Sequence, residues 1–457
     1  MKIIFAVLDT LRADHLGCYG YARPTSPRLD ALAKEGALFE RAYATDVPTQ
    51  PSYTAMFTGM RGIRSGVVSH SPTETIADTV PWLPQRLAEN GYETAAVSTL
   101  CIMKKYFTRG YHTYMNPVAH DRAQIQQVTA EQINAYAIPW LRANKDRDLF
   151  LFLHYWDPHS LYNPPHKRYR TMFYDGDPCD PKNHSLDELR DQLIGPFTMG
   201  HLEKVMPGVT DKQYVVAQYD GEIRYLDDQF TILLDTLTSL GIEDDTLLIV
   251  TADHGESMGE HALYFDHCGV YEPTVRVPLL VRWPGCVPPG TRVNALVQGI
   301  DIPATILAAA GVEAPETFQG RNLTPLATGE QKAAYEFVVS NQGLWQAKRM
   351  ISDGTWKLIN ALDNGLWPAP ARELYNIEDD PSETRNVVET QPDIAARLDL
   401  QLRRWEDAQL RGGIDPLRKI VQSGLPSRAW VEQARIQKGL TLSYEEVRNL
   451  IDVPFTD

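Results

Sequence analysis

The run IIFAVLD, Ile3 to Asp9, decides the fold. It is too short to hold the apolar region and cleavage site of a secretory signal, and its unbroken apolar stretch ending on a carboxylate reads as a buried strand. Outward from it, strand-like and helical patterns alternate. Helix-like PRLDALAKEG (27–36) and TVPWLPQRLAENG (79–91) precede ETAAVSTL (93–100), helix-like TAEQINAYAIPWLRANK (129–145) and the strand DLFLFLHYW (148–156). A long helical segment, 211–241, ends at Gly241 and hands over to TLLIVTADHGE (246–256), a second strand finishing on acidic residues. Such alternation predicts an α/β sheet with helices on both faces.

After about Val312 the texture changes. YEFVVSNQG, WQAKRMISDG and TWKLINALDNG are short, strand-like and divided by Gly, Asn and Asp turns, which predicts a small antiparallel sheet. From about Gln391 the chain is helical and polar. The division expected is a catalytic domain over 1–335 and a C-terminal small antiparallel sheet with a helical tail over 336–457.

The 457 residues include 44 basic and 59 acidic side chains, a formal net charge of −15, which argues against a nucleic-acid polymer or an anionic membrane as partner. No apolar run is long enough to span a membrane. Five cysteines, odd in number and without CxxC spacing, fit a reducing cytoplasm.

Chemistry concentrates at the two acidic strand tips, Asp9 and Asp253-His254. In an open parallel sheet, ligands bind beyond the carboxyl ends of the strands, so both tips are expected in one crevice. VPTQPSYTAMFTG, Val47 to Gly59, supplies the third component. Pro51 suits a first helical turn and Gly59 a helix end, which places Thr49 at a helix N-terminus. There it is either an N-cap or a hydroxyl beside the positive end of a helix dipole. Two carboxylates brought together call for a cation between them. Asp9, Asp253, His254 and the Thr49 oxygen would supply mixed O and N ligands to one divalent metal and make the hydroxyl nucleophilic.

These residues carry a resemblance. LDTLRADHLGCYGY, TQPSYTAMFTG, FLHYWDPHSLYNPP, YDGEIRYLDD, TADHGESMGEH, YEPTVRVPLLVRWPG and ELYNIEDDPSETRNVV resemble, in order, the sulfatase branch of the alkaline phosphatase superfamily. The resemblance implies an alkaline phosphatase-like mixed sheet sandwiched by helices, a smaller C-terminal antiparallel sheet, a metal-assisted esterase site and Thr49 in the nucleophile's place. It also gives His159 as a histidine for the substrate or leaving-group oxygen. His267 would protonate the leaving oxygen, bind substrate or help hold a second metal.

The chain departs from the family at telling places. Sulfatases carry Cys or Ser, oxidised to formylglycine, in C/S-x-P-S-R, where this chain has Thr49-Gln50-Pro51-Ser52-Tyr53. After GYETA the sulfate-binding Gly-Lys-Trp-His is replaced by AVSTLC, leaving Ser98 or Thr99, with Tyr53, as candidate substrate contacts. A plain threonyl ester lacks the hydroxyl by which formylglycine expels sulfate, and alkoxides suit phosphoryl transfer.

The sequence therefore predicts a metal-dependent hydrolase of phosphate diesters or phosphonate monoesters working through phospho-Thr49. The alternatives are a sulfatase acting without formylglycine and an inactive binding protein. One metal is expected, Mn or Zn ahead of Ca; a second would draw on Asp157, Asp220, His261 and His267, which lack the spacing shown by binuclear relatives. The partner expected is a small anionic ester, and the C-terminal tail could pack against a second subunit.

Overall fold

The computed structural model describes residues 1–118, 126–437 and 439. The end of the C-terminal tail, 440–457, lies outside the described residues. In chain order the strands are β1 (Lys2–Leu8), β2 (Ala37–Tyr43), β3 (Asp46–Val47), β4 (Glu93–Val97), β5 (Thr113–Met115), β6 (Leu149–Tyr155), β7 (Thr246–Thr251) and β8 (Ser257–Met258). They continue with β9 (Tyr264–Asp266), β10 (Arg276–Val277), β11 (Leu279–Arg282), β12 (Thr291–Gln298), β13 (Val338–Gly343), β14 (Ala347–Ser352), β15 (Trp356–Asp363) and β16 (Arg372–Asn376).

The main sheet runs β10-β2-β11-β7-β1-β6-β4-β5, with β12 beside β2. Strands β5, β4, β6, β1 and β7 are parallel, and β11 turns antiparallel against both β7 and β2. Every side chain of β6 and β7, and all of β1 after Lys2, is buried. That explains their continuous apolar sequence, since a strand covered on both faces has no solvent side to alternate with. Each fully buried Leu, Ile, Val or Phe contributes ~1.5–3 kcal/mol relative to exposure. The sheet edge β2–β10–β11–β12 is an addition beyond the predicted alternation.

The long helix is Lys212–Ser239, capped by Asp211, whose side chain accepts from Gln213 N. It organises the N-terminal segment. Asp227 accepts from the backbone N–H groups of Arg28 and Leu29 and so caps the helix Pro27–Glu35, while Tyr219 reaches the turn after β1.

The smaller sheet has the order β16-β15-β14-β13-β3, antiparallel from β13 to β16. The helix Pro392–Leu410 lays Ala395, Leu398 and Leu402 against Val339, Ile351, Leu358 and Leu374 of that sheet. Its edge strand β3 comes from far upstream, two residues before Thr49, and pairs in parallel with Asn341 and Gln342. Among the described residues no helix is long and apolar enough to cross a membrane.

Candidate active site

Because β1 and β7 are adjacent and parallel, the turns that follow them emerge side by side. The turn after β1 is pinned. Thr10 adopts φ 57°, a left-handed conformation unfavourable for a β-branched residue. Its N–H donates to Asp253 Oδ1 at 3.1 Å, and its carbonyl accepts from the Tyr219 hydroxyl at 2.8 Å. The β7 turn needs Gly255, where a Cβ would lie 2.0 Å from the Pro273 carbonyl oxygen.

Thr49 opens the helix Thr49–Thr58, which Gly59 closes at φ 62°. Pro48 takes the N-cap position, and the Thr49 hydroxyl is not spent on the helix. Oγ1 lies 3.3 Å from His254 Nε2. The open choice between cap and reactive hydroxyl thus falls toward a hydroxyl facing the strand tips. Ser52, one turn-face away, donates to the Asp253 carbonyl at 2.8 Å and ties the helix to the β7 turn.

The imidazole of His254 is oriented by the backbone. Nδ1 sits 3.0 Å from the Gly255 carbonyl, which can only accept, so Nδ1 donates there and Nε2 is the nitrogen turned to the cluster. Nε2 lies 3.3 Å from Asp253 Oδ2. Asp253 Oδ2 and Asp9 Oδ1 are both buried without a hydrogen-bond donor. Burial raises the pKa of Asp9 well above the usual carboxylate range, and the charges of Asp253 and Glu256 add to it; burial also raises Asp253, against the pull of His254 and of backbone N–H donors. Ligand atoms of Asp9, Asp253 and His254 all lie within 4.8 Å of one another. Orphaned carboxylate oxygens and an imidazole nitrogen in one buried cluster fit a divalent cation.

A residue that sequence reasoning did not single out completes this arrangement. His154, in the apolar strand β6, places Nε2 3.1 Å from Asp9 Oδ2 and Nδ1 3.2 Å from Ser98 Oγ. The carboxylate accepts from Nε2–H, so Nδ1 accepts from the serine hydroxyl, and Ser98 orients an imidazole that orients Asp9. Of the side chains expected to touch substrate, Ser98 is bound in this chain, Thr99 accepts from Trp156 Nε1 at 2.7 Å, and Tyr53 is fully buried with its ring 5.0 Å from that of His154. None of the three lines the cavity described next.

That cavity, of about 1070 Å³, opens at Thr49 and is walled there by His70, His159 and His267. His159 and His267 rings lie 5.9 Å apart and His254 and His267 rings 4.5 Å apart. His159 Nδ1 donates to the Ser160 carbonyl at 2.7 Å, leaving Nε2 as an acceptor, and burial lowers its pKa to about 4. His70 carries no sequence signal beyond being a histidine; it too is held neutral by burial, with a pKa of about 3. Lys104 and Lys105 line the same cavity, although Lys104 Nζ already donates to three backbone carbonyls.

The residues considered for a second metal do not gather. Asp157 faces Glu222, Asp220 accepts from Tyr21 and Arg23 and lies 2.7 Å from His15 Nδ1, and His261 stacks on Tyr271 at 3.6 Å. Of that set, His267 packs against His254, and Asp157 lines the same cavity just past the end of β6.

An alcohol facing two carboxylates and an imidazole at the ends of a mixed α/β sheet is an arrangement suited to ester hydrolysis. Residues 2–312 match the Sulfatase family, and residues 259–408 match N-sulphoglucosamine sulphohydrolase, C-terminal. The chain belongs to the sulfatase family. It is 24% identical to the N-acetylglucosamine-6-O-sulfatase of Bacteroides thetaiotaomicron, over 84% of this chain and 82% of that protein. It is 22% identical to an arylsulfatase of Clostridium perfringens, over 97% and 98% of the two chains. The fold is also shared with the phosphonate monoester hydrolase of Agrobacterium radiobacter, at a TM-score of 0.72 and 20% identity over 89% of this chain and 95% of that one.

Proposed function

We propose that this chain hydrolyses sulfuric esters with the unmodified Thr49 hydroxyl as the attacking group. The observation that carries the reading is the placement of Thr49 Oγ1 3.3 Å from His254 Nε2, inside the cluster formed with Asp9 and Asp253. The names of the relatives favour sulfate over the phosphorus esters that the threonine chemistry put first in the sequence reading.

Asp9, Asp253 and His254 would hold one divalent cation, Mn or Zn by the mixture of carboxylate and imidazole donors. Such a cation supplies Lewis acidity and lowers the pKa of a neighbouring hydroxyl. The chain's own groups do the rest. The N-terminus of the helix Thr49–Thr58 turns its dipole toward the developing negative charge. Thr49 Oγ1 forms a bond to sulfur as the bond to the leaving oxygen breaks. His159, neutral by burial, can take a proton at Nε2 and return it to that oxygen. Water then attacks the sulfur of the sulfo-threonine; the Oγ1–S bond breaks, sulfate leaves, and Oγ1 takes up a proton given by the water to become the hydroxyl again.

A second reading, a phosphate diester or phosphonate monoester as substrate, is favoured by the single hydroxyl of Thr49, which lacks the second oxygen that formylglycine uses to expel sulfate. An aryl sulfate, an aryl phosphate diester and an aryl phosphonate compared with Mn²⁺ or Zn²⁺ added decide between them. Turnover of the sulfate that is lost in Thr49→Ala supports the first reading; turnover of the phosphorus esters alone replaces it with the second. Equal inertness of wild type and variant on all three overturns both.

A further inference from the structure

Beside the first cluster stands a second buried group of two acids and an imidazole. Glu256 is fully buried, and neither carboxylate oxygen has a hydrogen-bond donor. His267, 8% exposed, has no hydrogen-bond partner at either ring nitrogen. Its Nδ1 lies 3.9 Å from Glu256 Oε1 and 3.1 Å from Asp266 Oδ1. Ligand atoms of Glu256, Asp266 and His267 all fall within 4.8 Å of one another.

Charge counting separates this cluster from an ordinary buried network. Asp9, Asp253, Glu256 and Asp266 are four carboxyl groups in one interior region, and among the described residues no lysine or arginine forms an ion pair with any of them. The nearby guanidinium of Arg12 is committed to Asp14 and Glu260, and meets Glu256 only at its backbone carbonyl. One divalent cation on Asp9 and Asp253 leaves Glu256 and Asp266 to be neutralised either by protons, toward which burial pushes both, or by a second cation. Asp266 is held in place from the opposite side, because Oδ1 accepts from Trp345 Nε1 and from the His267 backbone N–H, both at 2.8 Å. Oriented ligands of this kind are what metal sites require.

We propose that Glu256, Asp266 and His267 hold a second divalent cation next to the one held by Asp9, Asp253 and His254. The two sites are side by side, since the rings of His254 and His267 are 4.5 Å apart. His267 also lines the cavity that opens at Thr49, so the second cation would stand at the wall where an anionic ester enters. Two carboxylates with one imidazole suit Mn²⁺ or Zn²⁺. The proposal rests on the first cluster being a cation site.

The test is metal content of the purified full chain, stripped, reloaded with excess Mn²⁺ or Zn²⁺ and desalted, read by inductively coupled plasma mass spectrometry with circular dichroism as a folding control. Two ions per wild-type chain are expected, falling to one in Glu256→Gln and in Asp266→Asn and to one in Asp253→Asn. One ion in wild type, lost in Asp253→Asn but kept in Glu256→Gln, overturns the second site and leaves the first. No ion in wild type overturns both, and two ions retained in both Glu256→Gln and Asp266→Asn assign the second ion elsewhere. Should a variant fail the folding control, the wild-type count still decides, joined by the positions of anomalous peaks from Zn²⁺ in crystals of the wild-type chain.

Discussion

Thr49 Oγ1 and His254 Nε2 lie 3.3 Å apart, with His254 Nδ1 turned to the Gly255 carbonyl. The hydroxyl therefore meets the imidazole where the helix N-terminus and the strand tip converge. Thr49→Ala is expected to lower kcat by at least ~10³, the scale of removing a nucleophile, while leaving the unfolding midpoint nearly unchanged. Thr49→Ser should keep activity within about tenfold of wild type, because it retains the hydroxyl. Steady-state kinetics on the responsive ester measures both, and a Thr49→Ala variant as active as wild type would sink the assignment.

Ser98 acts at a distance of two hydrogen bonds. It supports His154, which supports Asp9. Ser98→Ala is expected to weaken Mn²⁺ or Zn²⁺ binding ~10–100-fold, as loss of an outer partner does, with little change in KM. Isothermal titration calorimetry of the stripped chain reads the affinity. A rise in KM with metal affinity intact would instead put Ser98 in contact with substrate.

The stripped and loaded forms should differ in stability. A cation held by Asp9, Asp253 and His254, as proposed, would bind an arrangement that the unfolded chain does not preserve, so excess metal is expected to shift the equilibrium toward the native state by about 2.7 kcal/mol at a hundredfold excess over Kd. Differential scanning calorimetry with chelator and with Mn²⁺ should show the loaded chain melting higher, and coincident transitions would mean that the cluster does not hold the ion.

Acid should unfold the protein earlier than its carboxylates alone would suggest. Burial holds His70, His159 and His261 at pKa values of about 3, about 4 and about 4, below the ordinary 6.5. Between those values the unfolded chain binds protons that the native chain refuses, so stability is complete above 6.5 and is lost as the pH falls. Urea midpoints should be lower at about pH 5 than at about pH 7, and His261→Gln should narrow the gap. An unchanged gap in that variant would show that His261 titrates alike in both states.

Asp46 joins the segment leading to Thr49 to the rest of the fold. Oδ2 accepts from Gly62 N and Oδ1 from Asn341 Nδ2, both at 2.8 Å, in a fully buried position. Asp46→Ala leaves both donors unpaired and is expected to cost ~2–4 kcal/mol in urea unfolding. A loss below ~0.5 kcal/mol would mean that other groups or water replace the carboxylate.

The parts of this protein legible in its sequence are those fixed by local patterns. β1 and β7 announce themselves because strands covered on both faces are uniformly apolar and end on acids, and Pro51 with Gly59 bounds the helix after Thr49. The short strands β13 to β15 show in their turn residues. β2 and β10 to β12 do not stand out, being short, broken by charged residues or half exposed, and assembled only by long-range pairing. His154 is concealed by its company: inside FLFLHYW it reads as core, and only the neighbouring strand tips reveal what its ring nitrogens touch. Ser98 and Thr99 face inward rather than to the cavity for a related reason, since residues just past a strand end can turn either way. Glu256 follows His254 closely in sequence, but its lack of a partner is visible only in three dimensions.

Gln342 sits opposite Val47 in the β3–β13 pairing, and its side chain also donates to the carbonyl of His267. One residue from the last third of the chain thus braces both the approach to the helix that Thr49 opens and a wall of the large cavity. A chimera carrying a foreign C-terminal sheet would lose both braces along with its native surface.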